Sequence, residues 1–284
     1  MIIWIASYPK SGNTFVRCLL ASYFFTKDGI FNFNSLRRIS QFPDLKFFKD
    51  AGVEFSQGNE IFKNYIKVQE YLNKKDNNSV RFLKTHSTMH DVGGYKFTDL
   101  KNSLGAIYII RDPRNVVRSY ANHMQFTEDQ ASNALVTYRY LEDNLNDSRI
   151  EKRTKTLLGN WSTHYQTWQT FGKVNKFLLL RYEDLVENTE KNLIKIIEFV
   201  HRITQTKFEL DEKKLSNTIS STSFEKLKKL EEKEGFDEAI EVKGKKVTFF
   251  KYGPKSNATK NLSKKTLDII EENFELEMKE LRYL

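Results

Sequence analysis

The chain opens on an unbroken apolar run, Ile2 to Ala6, and then changes pattern at Ser7-Tyr8-Pro9-Lys10-Ser11-Gly12. So short a run suits a strand buried on both faces, and Pro9 and Gly12 supply a turn after it. From Asn13 to Phe25 apolar residues recur at helical spacing. Three later runs have the same strand character: Val80 to Lys84, Ala106 to Ile110 and Phe177 to Arg181. They end in Thr85-His86, in Arg111-Asp112-Pro113 and in Tyr182-Glu183-Asp184 respectively.

Helical patterns fill the intervals. They cover Glu60 to Leu72, a segment from Pro113 through Asn122 with Asp112 as its N-cap, Glu128 to Leu145, and Leu157 to Phe171. Beyond the last strand, Thr189 to Ile203 is strongly amphipathic, with Leu193, Ile196, Ile197, Val200 and Ile203 on one face. Glu212 to Ser220 and Phe224 to Glu234 read as further helices, and Ser263 caps a final one bearing Leu267, Ile270, Phe274 and Leu281. Lys74 to Ser79 is a polar turn, and Lys243 to Leu262 is basic and loop-like. Phe31 to Gln57 mixes aromatic and polar residues without a period, and reads either as a substrate-facing lid or as a loop-rich part of the core.

Strands alternating with helices predict an α/β fold, with a mostly parallel central sheet flanked by helices on both faces. With no repeat and no interdomain linker, one domain over residues 1–284 is expected. In such sheets ligands bind beyond the carboxyl ends of the strands. Lys10, His86, Arg111 and Tyr182 each follow a strand end, so the fold would bring them to one edge.

Composition narrows the partners. Lys and Arg number 46 against 37 Asp and Glu, a net charge of +9 that favours anionic partners. Lys226, Lys228, Lys229 and Lys233 alternate with glutamates and read as a solvated helix face. Cys18 is the sole cysteine, which excludes an intrachain disulfide and suits a reducing compartment; its apolar neighbours make it a buried structural thiol. There is no apolar run of membrane-span length and no secretory pattern, so a cytoplasmic location is expected. The histidines and the cysteine lack zinc-ligand spacing, so no metal is expected, and no nucleic-acid motif is present.

A strand feeding a tight turn into a helix aims backbone N–H groups at the helix start. With Lys10 beside them they form a pocket for a multiply charged anion. A nucleotidase loop would carry its lysine after the second glycine of Gly-x4-Gly-Lys, whereas Lys10 precedes Gly12. Arg111 offers a planar fork for a phosphate, and Ser119 lies two helical turns further along roughly the same face; a pairing of Arg111 with Asp112 is the other reading. His86, with an ordinary pKa of about 6.5, would be mostly neutral at pH 7 and able to take a proton from a hydroxyl or amine.

In this order the segments resemble sulfotransferases that use 3′-phosphoadenosine 5′-phosphosulfate (PAPS). Ser7 to Phe15 is similar to their 5′-phosphosulfate loop, Ile109 to Tyr120 to their 3′-phosphate segment, and Lys84-Thr85-His86 to the strand end with the catalytic histidine. Gly159 to His164, Arg181 to Leu185 and Ser221 to Phe224 are similar to further family stretches. The resemblance implies a P-loop-like sulfotransferase fold and transfer of a sulfuryl group from PAPS, leaving adenosine 3′,5′-bisphosphate (PAP). It assigns His86, Lys10 and Lys84 to catalysis, and Lys10, Ser11, Gly12, Asn13, Thr14, Phe15, Arg111, Ser119, Tyr182, Thr222, Phe224, Lys251 and Gly253 to the donor. The implied acceptor is a small molecule or a glycan or lipid, taken up by Phe31 to Gln57, Met89 to Thr98 and Lys243 to Lys260.

Departures from the family pattern are visible too. Asn13 and Phe15 stand where many relatives have Thr and Trp, and the late Arg-Lys-Gly segment survives as Phe250-Lys251-Tyr252-Gly253 without its usual continuation. The short C-terminal dimerisation motif of the animal enzymes is missing, which leaves oligomeric state open. Two alternatives stand beside this reading: an ATP-Mg-dependent phosphotransferase with an atypical phosphate loop, and a non-catalytic nucleotide-binding protein.

Overall fold

All of β1 (Ile2–Ser7) is buried, because it forms the middle of a sheet covered on both faces. The structure, a computed structural model, describes residues 1–54, 60–141, 155–242, 245–251 and 262–284. β1 runs into α1 (Asn13–Phe25). Short helices α2 (Phe33–Leu36) and α3 (Leu45–Asp50) flank the edge strand β2 (Ser40–Gln41), and α4 (Tyr65–Lys75) leads to β3 (Arg81–Thr85). β4 (Ser103–Ile110), α5 (Pro113–Met124), α6 (Glu128–Val136), β5 (Arg139–Leu141), β6 (Thr156–Gly159) and α7 (Trp161–Trp168) follow. Then come β7 (Phe177–Arg181), α8 (Tyr182–Glu187), α9 (Thr189–Thr204), α10 (Glu212–Ser221) and α11 (Phe224–Glu234). A hairpin of β8 (Ile240–Val242) and β9 (Lys245–Val247) precedes the final helix α12 (Lys264–Glu280).

The central sheet has the order β2-β3-β1-β4-β7, and every pairing in it is parallel. Register aligns the strand ends: Ala6 lies beside Thr85, Ser7 beside Ile109, and Ile110 beside Arg181. Side chains of β1 alternate between two cores, as the pleat requires. Ile2, Trp4 and Ala6 join one cluster with Trp161, Trp168 and Phe274, while Ile3 and Ile5 join the other with Leu19, Leu20, Ile196 and Ile197. The Trp4 indole donates to Ser103 Oγ at 2.7 Å, so its polar edge is satisfied inside the core.

Several expectations change. Phe31 to Gln57 supplies the edge strand β2, too short to show a period, while Phe42 and Phe48 sit fully inside the core; positions 55–59 lie outside the described residues. The helix expected from Glu128 to Leu145 stops at Val136, and Arg139–Leu141 pairs antiparallel with Thr156–Gly159. The helix expected from Leu157 therefore begins at Trp161. Gly159 takes a positive φ of 67°, and Asn160 caps α7 by accepting from Thr163 N at 2.8 Å. β4 starts earlier than its apolar run, at Ser103. The Asp112 cap holds as read, its carboxylate accepting from Arg114 N at 2.9 Å.

Candidate functional site

The anion loop is held from below by the helix it starts. Asn13 Nδ2 donates to Ile5 O at 3.0 Å and to Ser7 Oγ at 3.2 Å, tying the first turn of α1 to the end of β1. Lys10 and Gly12 both adopt positive φ, 67° and 102°, so the chain reverses within four residues and delivers the N-terminus of α1 to the strand ends. A Cβ on Gly12 would meet Tyr182 Cδ2 at 2.2 Å, since the Tyr182 ring lies directly on that glycine. The Arg111 guanidinium stacks over the same ring at 4.4 Å and donates to Lys10 O at 3.3 Å. Loop, β4 end and β7 end are thus in contact, as the strand-end rule anticipates. Asp112 pairs with Arg114 at 2.8 Å, while Arg111 turns to the loop.

Cationic groups concentrate here at a cost. Burial pulls the Lys10 ammonium down to about 7; the Glu238 carboxylate opposes that shift, and the charges of Lys84 and Arg111 add to it. Its Nζ lies 4.0 Å from the centre of the Phe249 ring. Lys84, nearly buried at the end of β3, donates to Glu238 Oε1 at 3.3 Å.

His86 follows β3 and is fixed by its backbone surroundings. Its Nδ1 lies 2.7 Å from Ser7 O, and because a carbonyl oxygen accepts, Nδ1 carries the proton. The neutral ring therefore leaves the Nε2 lone pair unprotonated. Burial, with the charge of Lys84, drives the imidazole well below its ordinary pKa, against the bond to Ser7. His164 supports the arrangement: its Nε2 donates to His86 O at 3.2 Å, and its Nδ1 accepts from Tyr108 OH at 2.7 Å. Burial brings His164 to about 3, which keeps this relay neutral.

The other residues expected at the donor site have their own local surroundings. Thr14 Oγ1 donates to Glu238 Oε2 at 2.9 Å, Phe15 packs against the core on the α1 side, and Ser119 is half-buried on α5. Thr222 is fully buried and donates to Thr218 O at 2.7 Å, and Phe224 packs near Phe250 with ring centres 6.3 Å apart. Lys251 Nζ donates to Asn122 Oδ1 at 2.8 Å, whereas Gly253 lies outside the described residues. An open groove of about 550 Å³ between Phe25 and Arg38 contains none of the strand-end residues.

Sequence reasoning missed Arg17, Glu238 and the His164–Tyr108 relay. Arg17 carried a signal, being a charge inside the apolar run Phe15 to Leu20. It is 6% exposed, donates to Ile39 O at 3.0 Å and pairs with Glu238. Burial alone would push the Glu238 carboxyl up, but Arg17, Lys84 and the Thr14 hydroxyl hold it well below its ordinary value.

Ser11 Oγ, Asn13 Oδ1 and Arg111 Nε are buried polar atoms that find no hydrogen-bond partner among the described residues. Two donors and a lysine around a helix N-terminus fit a phosphate-bearing molecule. Among the described residues, no group of three or more His, Cys, Asp or Glu side chains is placed to hold a metal, and no helix is long and apolar enough to cross a membrane.

Known proteins resemble this chain in sequence and in fold. The family model described as "Sulfotransferase domain" matches residues 2–282. Sulfotransferase 1A1 of Bos taurus is 27% identical over 232 residues, covering 79% of this chain and 65% of the bovine protein, so the chain spans just under two thirds of that relative. The crystal structure of mouse sulfotransferase SULT7A1 complexed with PAP superposes with a TM-score of 0.58 at 16% identity, covering 98% of this chain and 84% of that one. Retinol dehydratase in complex with androsterone and inactive cofactor PAP gives 0.57 at 17% identity, covering 98% of this chain and 80% of that one. At such identities the structural likeness speaks for the α/β fold.

Proposed function

Because the chain belongs to the sulfotransferase domain family, we propose that it is an enzyme that moves a sulfuryl group from PAPS to an acceptor hydroxyl or amine. The observation that carries this reading is the meeting of Lys10, Lys84, His86 and Arg111 at the aligned strand ends, beside the orphaned Ser11 Oγ and Arg111 Nε. The donor supplies an activated sulfur bound through a bridging oxygen to a phosphate that is a good leaving group. Every other task falls to this chain.

Ser11, Thr14 and the first amides of α1 would bind the phosphosulfate, and Lys10 with Lys84 would neutralise charge growing on the bridging oxygen as its bond to sulfur breaks. His86 Nε2, held unprotonated by the Ser7 bond, would take the acceptor's proton as the acceptor oxygen or nitrogen bonds to sulfur. Arg111 and Ser119 would hold the 3′-phosphate, with Lys251 in support, while Phe15, Tyr182, Thr222 and Phe224 border the adenine. The acceptor is taken to be a small molecule bearing a hydroxyl or amine, a reading supported by the androsterone held by a protein of the same fold. One domain throughout and a cytoplasmic location belong to the same proposal, the latter supported by the buried free thiol of Cys18.

Thermal unfolding separates this reading from ATP chemistry. PAP should raise the melting temperature at concentrations where ATP with magnesium does not. Stabilisation by ATP-Mg alone would support the phosphotransferase reading instead.

A further inference from the structure

The groups assigned to the donor's anionic end already hold an anion, and the chain itself provides it. Glu238 lies beyond α11, and its Oε2 accepts from Thr14 Oγ1 at 2.9 Å while Oε1 accepts from Lys84 Nζ at 3.3 Å and pairs with Arg17. The Thr14 hydroxyl has a single hydrogen to donate, so it cannot serve this carboxylate and a phosphate at once. Its segment is anchored over the loop by aromatic packing. Phe236 lies with its ring centre 5.0 Å from Phe249 and 5.1 Å from Phe33, and the amides of Phe249 and Phe250 donate to Glu231 at 2.7 and 2.9 Å. Phe249 in turn covers Lys10. Lys10 is therefore engaged by Phe249, and Thr14 and Lys84 by Glu238.

We infer that Glu238 is a further residue of the donor site, an internal competitor whose carboxylate occupies the ground that the donor's 5′-phosphosulfate needs. Its part in donor affinity rests on the sulfotransferase reading; its competition with an anion rests on its contacts alone. The arrangement has a physical reason. Lys10, Arg17, Lys84 and Arg111 would repel one another around an empty loop, and the nearly buried Arg17 requires a counter-charge. A phosphosulfate brings more charge and more acceptor oxygens than a carboxylate, so it can displace Glu238 from Thr14 and Lys84. Donor affinity is then the difference between two anions, and the returning carboxylate helps to expel the product.

Inorganic pyrophosphate tests the competition without an adenosine. Glu238→Gln keeps the volume and removes the charge, and should bind pyrophosphate roughly tenfold or more tightly than the parent protein by calorimetry. Unchanged or weaker affinity overturns the inference. A purely structural counter-ion to Arg17 would leave the chain around residue 238 in place when an anion binds. Hydrogen exchange on the parent protein decides this even where the variant does not fold. Saturating pyrophosphate should speed exchange of the Ala239 amide, which donates to Phe236 O at 3.0 Å, and unaltered or slower exchange overturns displacement. If both results hold while PAP binds neither protein, the donor reading fails and the competition stands.

Discussion

Lys10 shows how a single buried charge sets the working range of a site. With its pKa near 7 before a ligand binds, it is charged below that pH and able to hold an added anion. Above it, an anion can bind Lys10 only with proton uptake, so affinity falls by up to about tenfold per pH unit until the pKa of the complex is reached. His86 and Glu238 both lie well below their ordinary values and stay silent in that window. The dissociation constant of PAP should therefore rise steadily between pH 7 and pH 9, and Lys10→Met should flatten the rise. A profile that is flat in the parent protein would contradict the role given to this lysine. Lys10, His86 and Arg111 were legible in the sequence because each follows within a few residues of an apolar run, and chain order alone marks a strand end. Glu238 was not, since its partner Arg17 lies 221 positions away and only the closed fold brings the two together.

Among the elements, β1 with its loop and α1 was the most legible, because a wholly apolar strand, a Pro-Gly turn and a periodic helix agree with one another. Where the elements are short the pattern failed. β2 has two residues, and β6 is four residues whose Leu157 and Leu158 fit a helical period as well as a strand. The tight corner also carries a prediction. Gly12 has φ 102°, and an added Cβ would come within 2.2 Å of a Tyr182 ring that is itself covered by Arg111. Gly12→Ala should cost about 1–3 kcal/mol in chemical denaturation and weaken PAP binding by moving Tyr182. A variant as stable as the parent would show that the ring is free to give way.

For the whole molecule, the two cores and the parallel order β2-β3-β1-β4-β7 bring the carboxyl edge of the sheet beneath the candidate site. The last helix reinforces that edge from outside: Arg114 on α5 pairs with Glu271 at 2.7 Å and donates to Tyr283 O at 2.7 Å, while Tyr283 OH donates to Glu183 at 3.0 Å. Alternation of strands and helices made the sheet legible from sequence, and the strand-end rule then pointed to the candidate site. The acceptor side was not legible, because the segments assigned to it have no period and two of them reach beyond the described residues. The central claim is that this sheet edge transfers a sulfuryl group with His86 as base. Incubation with sulfur-labelled PAPS and a panel of phenols, alcohols and amines should yield labelled product, and His86→Ala should lower the rate by roughly 10²- to 10⁴-fold while PAP still binds. An unchanged rate in that variant, or no labelled product from a parent protein that fails to bind PAP, would contradict it.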